Sequence, residues 1–516
     1  MRDTSCANGF DAPVVQEWVS GAGAPVPSPF EGPNAPPILD VWHTLSKGDQ
    51  QSVIENEVLR NGIQRPVGHT VSFHYNPRVE SHHFGKSHPM KPWRLTLTKQ
   101  LVLSYGLHYA LDLYRPLEAT KEELAAYHTR EYLDFLQSID PQHSHPSSPN
   151  TDHEQRRTAF LGSNEANADC PVFDGMWGYF TLYAGASLDA AHKLVADQSD
   201  IAINWSGGLH HAHKGTGAGF CYINDIVLAI QQLLLVTPRV LYIDIDVHHG
   251  DGVEEAFYYT DRVLTLSFHK YGETFFPGTG ALEDTGPRGS HNPGAHHSLN
   301  VPLRDGIEDA EWERLFRQIA GDAIDTYNPG AIVLQCGADS LGGDRLGSFN
   351  INIRAHGFAV EFVKSRAHGR KMMIVGGGGY TPRNVARCWT HETSIAADVE
   401  LRNELPMHVP YRQAFTGNEN GDGLLYPSLS NIQGKIHPNM NDQSYFDNLI
   451  AHNKEQLRYI KGGPSVQMSR IPIDHLRIRE EVDEALRDEL EDRDRDEMMR
   501  RRREKNYGYR GERLSS

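Results

Sequence analysis

Short apolar runs of strand length alternate along the chain with longer segments of helical length. The predicted strands are residues 201–205, 240–247, 263–268, 331–336 and 371–375, and segments such as 224–235, 310–327 and 354–365 have the apolar spacing of helices. Repeated alternation of strand and helix predicts an α/β fold in which helices cover both faces of a parallel sheet. In such sheets, ligands bind at the carboxyl ends of the strands, so the active site is expected there.

The pattern changes at both ends of the chain. Residues 1–66 are rich in Pro, Gly, Ala and Ser and show little periodicity, which predicts a disordered extension. Residues 441–516 are predicted to be a charged segment, partly helical or disordered, because acidic and basic residues alternate densely towards its end. Residues 67–440 are therefore predicted to form the folded domain.

Composition narrows the possible functions. The chain has 516 residues, and its formal net charge of −17 argues against broad or sequence-specific contact with nucleic acid. Its five cysteines form no CxxC pair, which excludes a disulfide framework and a thiolate zinc finger. The longest apolar stretch, residues 226–236, is interrupted by two glutamines, so neither a membrane span nor a secretion signal is expected. The 28 histidines point to metal or acid–base chemistry.

A potential metal site lies in the run VLYIDIDVHHGDG at residues 240–252. Side chains alternate faces along a strand, so Asp244, Asp246 and His248 are predicted to share one face. Carboxylates are rarely buried without a metal or a partner, which favours a metal over an amphipathic strand with one wet face. Asp339, after the strand at 331–336, adds a carboxylate, with a loop-capping aspartate as the alternative. Two carboxylates, one imidazole and an open position are typical of catalytic zinc, and Fe(II) would accept the same ligands.

Two adjacent histidines, His210 and His211, follow the strand at 201–205. Imidazoles titrate near neutral pH, so a pair beside a metal-bound water can divide the roles of base and acid. Asp244 and Asp251 are the candidates to orient the two rings. The alternative is an ordinary surface loop, but the two glycines before the pair, at a strand end, favour a functional pair.

Four glycines and Tyr380 follow the strand at 371–375. The glycines let the backbone approach a ligand closely, but no P-loop lysine follows them. Tyr380 is instead expected to donate a hydrogen bond to the oxyanion that forms when water attacks a carbonyl, with a buried structural tyrosine as the alternative. Nucleophile-elbow, dinucleotide and HExxH signatures are absent from the sequence. The combined residues predict metal-assisted hydrolysis of an amide or ester.

The sequence resembles the class I zinc-dependent histone deacetylases. The matching segments, in order between residues 69 and 395, are HPMKPWR (88–94), DCPVF (169–173), GGLHHAHK (207–214), GFCYIND (219–225), YIDIDVHHGDGVEEAF (242–257), SFHKYGETFFPGTG (267–280), NVPLRDGI (300–307), QCGADSLGGDRLG (335–347) and GGGGYTPRNVARCW (376–389). Residues 271–280 and GPSVQM near residue 463 look most like the histone deacetylase three branch. The resemblance implies an arginase/deacetylase-like fold and makes residues 67–440 a deacetylase catalytic domain.

The resemblance implies a role for each candidate residue. The implied catalytic residues are His210, His211 and Tyr380, with Asp244 and Asp251 holding the two histidines. The implied zinc ligands are Asp246, His248 and Asp339. The family also places a potassium ion beside the zinc, and the corresponding groups are Asp244, Ser267 and Phe268 with the backbone at Asp246 and His248. Oxygen ligands of this kind suit a hard cation.

In the family, a narrow channel holds the acetyl-lysine side chain between two aromatic rings. The implied substrate-binding residues are Asp169, Gly219, Phe220, Phe276 and Leu346. Phe220 and Phe276 would supply the two rings, and Phe275 is the alternative to Phe276 because the two phenylalanines are adjacent. Asp169 resembles a rim aspartate that accepts hydrogen bonds from the substrate backbone, and Leu346 resembles an apolar rim residue.

Class I members in corepressor complexes bind an inositol phosphate in a basic groove. The corresponding residues are His83, Lys91, Arg345 and Arg383. Such cations on an acidic protein would make a local anion site, with ordinary surface ion pairs as the alternative. The chain departs from the family at Ser87, where a glycine is usual, at Trp93, where histidine is common, and at His213, which replaces a lysine. Of these departures, Ser87 bears most on the anion site.

The resulting hypothesis is zinc-dependent hydrolysis of N6-acetyl-lysine in histones, giving lysine and acetate, in transcriptional corepression. The expected partners are acetylated histone tails and corepressor subunits, and the expected location is the nucleus, with the cytoplasm as a second one. One alternative is a deacylase of acetylated small molecules or of non-histone proteins. Another is a mainly structural corepressor subunit.

Overall fold

Eight parallel strands form one sheet in a computed structural model of the protein. In chain order the strands are β1 (Val71–His74), β2 (Asp112–Tyr114), β3 (Ile201–Asn204), β4 (Val240–Asp244), β5 (Val263–Lys270), β6 (Ser298–Leu303), β7 (Ala331–Gln335) and β8 (Lys371–Val375). Their order across the sheet is β2-β1-β3-β8-β7-β4-β5-β6. The structure describes residues 42–139, 141, 151–162, 169–272, 274–289, 292–416, 423–429, 436–460, 462–463 and 487–499.

The sheet confirms the predicted fold class. Every residue of β3, β4 and β7 is buried, which is the pattern of central parallel strands whose two faces are both covered. All five predicted strands are present, and β1, β2 and β6 are additions that the sequence analysis did not predict. The four strands β3, β8, β7 and β4 are consecutive in the sheet, so the loops that follow them meet at one edge.

Helices connect and cover the strands. They are α1 (Lys47–Arg60), α2 (Trp93–Tyr105), α3 (Lys121–Leu124), α4 (Arg130–Ser138), α5 (Thr151–Leu161), α6 (Met176–Val195), α7 (Asp225–Leu233), α8 (Asp251–Phe257), α9 (Asp309–Tyr327), α10 (Ile353–Ala367), α11 (Pro382–Ala396) and α12 (Gln443–Leu457). The three predicted helical segments correspond to α7, α9 and α10, with ends that differ by up to two residues. Among the described residues, no helix is both long enough and apolar enough to cross a membrane.

Two stacked tryptophans tie the functional edge of the sheet to α11. The rings of Trp205, just after β3, and Trp389 on α11 lie 5.2 Å apart at an angle of 7°. Trp389 Nε1 donates a hydrogen bond of 2.8 Å to the carbonyl of Cys336, just after β7. Because both indoles are buried and their N–H groups are bonded, the loops after β3 and β7 have a fixed support.

The predicted disordered extension is wrong for residues 47–60, which form α1. Ser46 caps the start of this helix by accepting a hydrogen bond from the backbone of Asp49. Val53 and Val58 are buried, and the side chain of Asn61 accepts a hydrogen bond of 3.0 Å from the backbone of Arg402. The sequence signal was weak because only a few apolar residues of α1 face the protein. Residues 1–41 of the predicted extension lie outside the described residues.

The predicted domain boundary at residue 440 is also wrong, because α12 packs against α9 and β6. Phe446 and Leu449 of this helix are buried, and Tyr445 donates a hydrogen bond of 2.6 Å to the carbonyl of Pro302. The first compact unit extends to Ile460, and residues from Lys461 form a second unit. In that second unit, residues 487–499 form a helix whose side chains are all exposed.

Candidate active site

Three buried side chains meet at the carboxyl ends of β4 and β7. Nδ1 of His248 lies 3.1 Å from a carboxylate oxygen of Asp246 and 3.1 Å from one of Asp339. Ligand atoms of one tetrahedral zinc ion, each about 2.0–2.1 Å from the metal, lie about 3.3 Å apart. The observed spacing therefore fits three ligands of a single zinc ion, which is the set expected from the sequence.

Backbone and side-chain donors orient the two carboxylates. Asp246 accepts hydrogen bonds from Gln335 Nε2 at 3.0 Å and from the backbone of Gly378 at 2.8 Å. Asp339 accepts one from the backbone of Val247 at 2.9 Å. Both carboxylates are fully buried, and burial together with the charge of Asp246 raises the pKa of Asp339. Two buried acids side by side are costly unless a cation neutralises them, so the donor set suits a metal.

A second buried group of potential ligands is a hydrogen-bonded pair rather than a metal site. His356, Cys388 and Glu392 lie together, but Nδ1 of His356 is only 2.5 Å from Glu392 Oε1, which is a hydrogen-bond distance. The other ring nitrogen of His356 donates to the carbonyl of Gly337 at 3.0 Å. His356 therefore supports the turn that leads to Asp339.

Two histidine–aspartate pairs lie beside the three ligands. His210 Nδ1 donates to Asp244 Oδ2 at 2.7 Å, and His211 Nδ1 donates to Asp251 Oδ1 at 2.7 Å. These are the pairs that the sequence analysis expected. The rings of the two histidines are 3.9 Å apart, and Nε2 of His210 lies 3.8 Å from Asp246 Oδ2. The histidine pair therefore lies beside the three candidate metal ligands.

The two histidines have opposite pKa shifts. Burial lowers the pKa of His210, but the negative charges of Asp244 and Asp246 outweigh it and raise the value to about 9. Burial and the neighbouring charge of His210 lower the pKa of His211 to about 4. Neighbouring groups whose pKa values are driven in opposite directions suit the separate roles of acid and base.

Tyr380 follows the glycine run after β8, as predicted, and is mostly buried. A Cβ atom on Gly378 would lie 2.1 Å from Asp339 Oδ2, so only glycine lets this backbone approach the ligands. The backbone N–H of Tyr380 donates to Asp344 Oδ2 at 2.8 Å. Burial raises the pKa of the Tyr380 phenol well above its ordinary value, so the hydroxyl remains a hydrogen-bond donor.

The predicted strand 240–247 is too long, because β4 ends at Asp244. The chain turns there, and the backbone of Asp246 donates to Asp244 Oδ1 at 3.1 Å. Strand alternation therefore does not explain how Asp244, Asp246 and His248 are oriented. The turn separates their roles, since Asp244 accepts from His210 and from Tyr242 while Asp246 and His248 face Asp339.

The family profile described as the Histone deacetylase domain matches residues 88–396, which is more than half of the chain. This chain belongs to the histone deacetylase family. It is 48% identical over 405 residues to Histone deacetylase 9 of Arabidopsis thaliana, and the aligned residues cover 78% of this chain and 89% of that protein. It is 47% identical over 404 residues to Histone deacetylase 1 of Homo sapiens, covering 78% of each. The predicted membership of class I is confirmed, and the closer likeness to the three branch stays a prediction.

Aromatic side chains surround the approach to the deacetylase site. Phe220 packs edge-on against Tyr380 with ring centres 5.7 Å apart, and Phe276 packs edge-on against His211 at 4.8 Å. A Cβ atom on Gly219 would lie 2.5 Å from the His211 ring and 2.8 Å from the Phe276 ring, so glycine keeps this space open. Phe275 instead stacks flat on His248 at 5.1 Å.

The predicted rim residues lie near this opening. Asp169 is exposed, and its backbone carbonyl accepts a hydrogen bond of 3.3 Å from His88, whose ring packs against Phe220 at 4.5 Å. Leu346 is half-buried, and its backbone N–H donates to Asp344, the same carboxylate that holds Tyr380. The rim of the deacetylase and its catalytic loop thus share a support.

The residues predicted to bind potassium lie on neighbouring strands, whereas those predicted to bind an inositol phosphate lie in loops and at the start of α11. Asp244 and Ser267 are direct neighbours in the β4–β5 register, with Phe268 next along β5. Lys91 Nζ donates to the carbonyls of Gly85 and Lys86 at 2.8 and 2.9 Å. Burial and the charge of Arg345 lower the pKa of Lys91, so these two cations lie near each other. Arg383 is half-buried in the first turn of α11, and His83 is exposed.

Several buried residues of the deacetylase support the site although the sequence analysis assigned them no role. Arg94 donates to the carbonyls of Gly377 and Gly379 at 2.5 and 2.8 Å. Asp225 accepts hydrogen bonds from the backbones of Gly208 and Leu209, directly before the histidine pair. Both residues belong to segments that resemble the family, but the sequence does not show which partners their buried charges meet. A charge within an otherwise apolar run was the available signal.

Proposed function

We propose that this deacetylase hydrolyses the acetyl amide of N6-acetyl-lysine in histone tails, giving lysine and acetate, with zinc as its metal. The main support is the convergence of one three-ligand group, two histidine–aspartate pairs and Tyr380 at one edge of the sheet. Such a combination supplies a metal, a base, an acid and an oxyanion donor, the four parts that metal-assisted amide hydrolysis needs. Membership of the histone deacetylase family supports the same reaction.

Asp246, His248 and Asp339 would hold the zinc ion, since their spacing and burial fit its tetrahedral preference. Zinc bound there would polarise the acetyl carbonyl and lower the pKa of a water molecule. Gln335 and the backbone of Gly378 would keep Asp246 oriented, as outer hydrogen bonds do at metal sites.

The chain's own groups would handle the protons and the charge. The His210–His211 pair would accept the proton of the attacking water and return a proton to the departing lysine amine, with Asp244 and Asp251 fixing both rings. Tyr380 would donate a hydrogen bond to the oxyanion that develops on the acetyl group. A bound cation would lower the pKa of both histidines and so favour their neutral forms before water is activated.

The substrate channel would run between Phe220 and Phe276. Gly219 keeps the space beside Phe276 open and Phe220 packs against Tyr380, whereas Phe275 lies flat against His248, a candidate metal ligand. The methylene stem of a lysine side chain suits such apolar walls. Asp169 and Leu346 would form the rim, where Asp169 can accept hydrogen bonds from the backbone of a peptide substrate. This arrangement favours a peptide over a small acetylated amine.

Substituting Asp169 with asparagine should lower kcat/KM for an acetyl-lysine histone peptide by about tenfold, because a neutral amide oxygen accepts hydrogen bonds from the peptide backbone more weakly than a charged carboxylate does. Hydrolysis of an acetylated polyamine, which has no peptide backbone, should be unchanged. Acetate release measures both reactions, with the nearby exposed Asp174→Asn as the control. Equal losses for the two substrates would refute the rim role, and a wild-type preference for the polyamine would favour a small-molecule deacylase.

A potassium ion would occupy the β4–β5 region through the carboxylate of Asp244, the hydroxyl of Ser267 and the backbone of Asp246, His248 and Phe268. The strand register brings Asp244 and Ser267 together, which supports this group of oxygen ligands. An inositol phosphate would bind His83, Lys91, Arg345 and Arg383 in a nuclear corepressor complex. The charge of Arg345 acts on Lys91, which supports an anion site, since a bound anion would relieve the repulsion between the two cations.

Inositol hexakisphosphate should raise the thermal unfolding midpoint of the wild-type protein, because a ligand that binds only the folded state stabilises it. The double substitution Lys91→Gln and Arg345→Gln should remove most of this increase, and added salt should weaken it in the wild type. Arg458→Gln, which removes an exposed cation on the last turn after α12, is the matched control. An undiminished increase in the double variant would place any anion site elsewhere.

A further inference from the structure

His213 lies next to one of the two catalytic pairs but takes no part in it. Nε2 of His213 is 3.5 Å from Asp251 Oδ2, while the other oxygen of that carboxylate binds His211 at 2.7 Å. Nδ1 of His213 is 2.7 Å from Glu255 Oε2. Asp251 is the first residue of α8 and Glu255 lies four residues later, so both carboxylates face the same side of the helix. His213 therefore sits between the acid of the catalytic pair and a second acid.

The exposure of these four side chains increases step by step from the site towards solvent. The exposed fraction is 4% for His211, 12% for Asp251, 25% for His213 and 61% for Glu255. The backbone holds His211 and Asp251 close together, because the start of α8 packs against residues 210–212. A Cβ atom on Gly252 would lie only 2.5 Å from the carbonyl oxygen of His210. His213 is thus the first solvent-accessible imidazole behind the buried pair.

The charged and titratable groups facing His213 are mostly acidic. On α8 they are Asp251 and Glu255, and on the segment after α3 they are Tyr127, which stays protonated, and His128, whose pKa burial lowers to about 4. Lys214, next in the chain, is exposed. The interaction with Asp251 outweighs burial and raises the pKa of His213 above its ordinary value. The acids around His213 therefore favour its protonated form.

We propose that His213 is a positioning residue that holds Asp251 behind His211, and that its charge tunes the proton affinity of the catalytic pair. This inference rests on the proposed roles of His211 and Asp251. A positive charge on His213 partly neutralises Asp251 and so destabilises a proton on His211. When His213 is neutral, Asp251 exerts its full charge on His211. The effect would act through the carboxylate of Asp251, which contacts both imidazoles, and it is measured as a change in the pH profile of kcat/KM.

The test compares three side chains at position 213, of which one is always positive, one is always neutral and the wild-type histidine titrates between the two states. His213→Lys keeps the positive charge at every pH used, and His213→Gln removes it. At acidic pH, kcat/KM of the wild type on an acetyl-lysine peptide should equal that of His213→Lys, because both side chains are charged. At alkaline pH it should equal that of His213→Gln, because both are neutral. The crossover should lie above 6.5, the ordinary pKa of histidine. Glu255→Gln, which removes an acid outside the catalytic pair, should move the crossover to lower pH, and the exposed His192→Gln should leave the profile unchanged.

A second readout does not depend on activity. In an NMR titration of protein with labelled histidines, the resonance that disappears in His213→Gln should titrate above pH 6.5 and should move down in both Glu255→Gln and Asp251→Asn. The proposal would be overturned if the pH profiles of the wild type, His213→Lys and His213→Gln ran parallel at all pH values. A measured pKa of His213 at or below 6.5 would also overturn it. A different result would be a protein that shows no hydrolysis dependent on Asp246 but a normal NMR titration of His213. That result would overturn the catalytic roles of His211 and Asp251, while the contact between His213 and Asp251 would still stand.

Discussion

Replacing Asp246 with asparagine is expected to abolish zinc binding and to lower hydrolysis at least about a thousandfold. Metal polarisation contributes several kcal/mol of transition-state stabilisation, and a factor of ten in rate corresponds to about 1.4 kcal/mol. Asparagine has nearly the same shape and can still accept a hydrogen bond from the backbone of Gly378. The loss would therefore come from the ligand charge and not from a collapsed loop.

Three measurements separate this effect from simple unfolding. Zinc content by mass spectrometry should fall from one ion per chain to almost none, and acetate release should fall in parallel. Added zinc should raise the thermal midpoint of the wild type but not of the variant, because only the wild type gains binding energy in the folded state. Asp325→Asn, which removes an exposed carboxylate paired with Arg366, is the control and should behave as wild type. Full activity in Asp246→Asn would show that the ligand set is wrong.

The central sheet was predictable because its strands are short and almost entirely apolar. The runs that become β4, β7 and β8 are buried on both faces, so their sequences show hydrophobicity without a competing helical period. β1, β2 and β6 were not predicted. β2 has only three residues, none of them fully buried, and β6 contains Asn300 and Pro302, which interrupt its apolar character. Such strands owe their conformation to the neighbours with which they pair.

Residues with distinctive chemistry could be found from the sequence, while those that support them could not. His210, His211 and Asp246 stand out because polar groups at strand ends have few structural uses. Arg94 and Asp225 act through hydrogen bonds to backbone atoms of distant loops, and those partners become neighbours only after folding. A sequence pattern records the type of side chain but not the carbonyl or N–H group that it will meet.

The same reasoning explains why α1 and α12 were assigned to segments outside the folded domain. Each helix buries only a few apolar side chains, so its average composition resembles that of a solvated segment. Their stability comes from specific contacts with the domain, such as Tyr445 with Pro302 and Asn61 with Arg402. Composition averaged over a window cannot distinguish a few buried contacts from none.

Substituting Tyr380 with phenylalanine is expected to lower kcat by about 10²–10³-fold, with little change in KM. The hydroxyl would donate to charge that exists only in the transition state, and loss of one such donor typically costs roughly 3–4 kcal/mol. The raised pKa of the phenol keeps the donor protonated throughout the working pH range, so the loss should be the same at all pH values.

The phenylalanine ring can keep the edge-on contact with Phe220, and the backbone N–H of residue 380 can still donate to Asp344. The zinc content and the thermal midpoint should therefore remain near wild type, which distinguishes this variant from Asp246→Asn. Tyr327→Phe removes a buried phenol that bonds the carbonyl of Asp261, far from the ligands. It should reduce stability without changing kcat per folded molecule. If Tyr380→Phe raised KM and left kcat unchanged, Tyr380 would be a substrate-binding group, because an oxyanion donor acts on the rate of the chemical step.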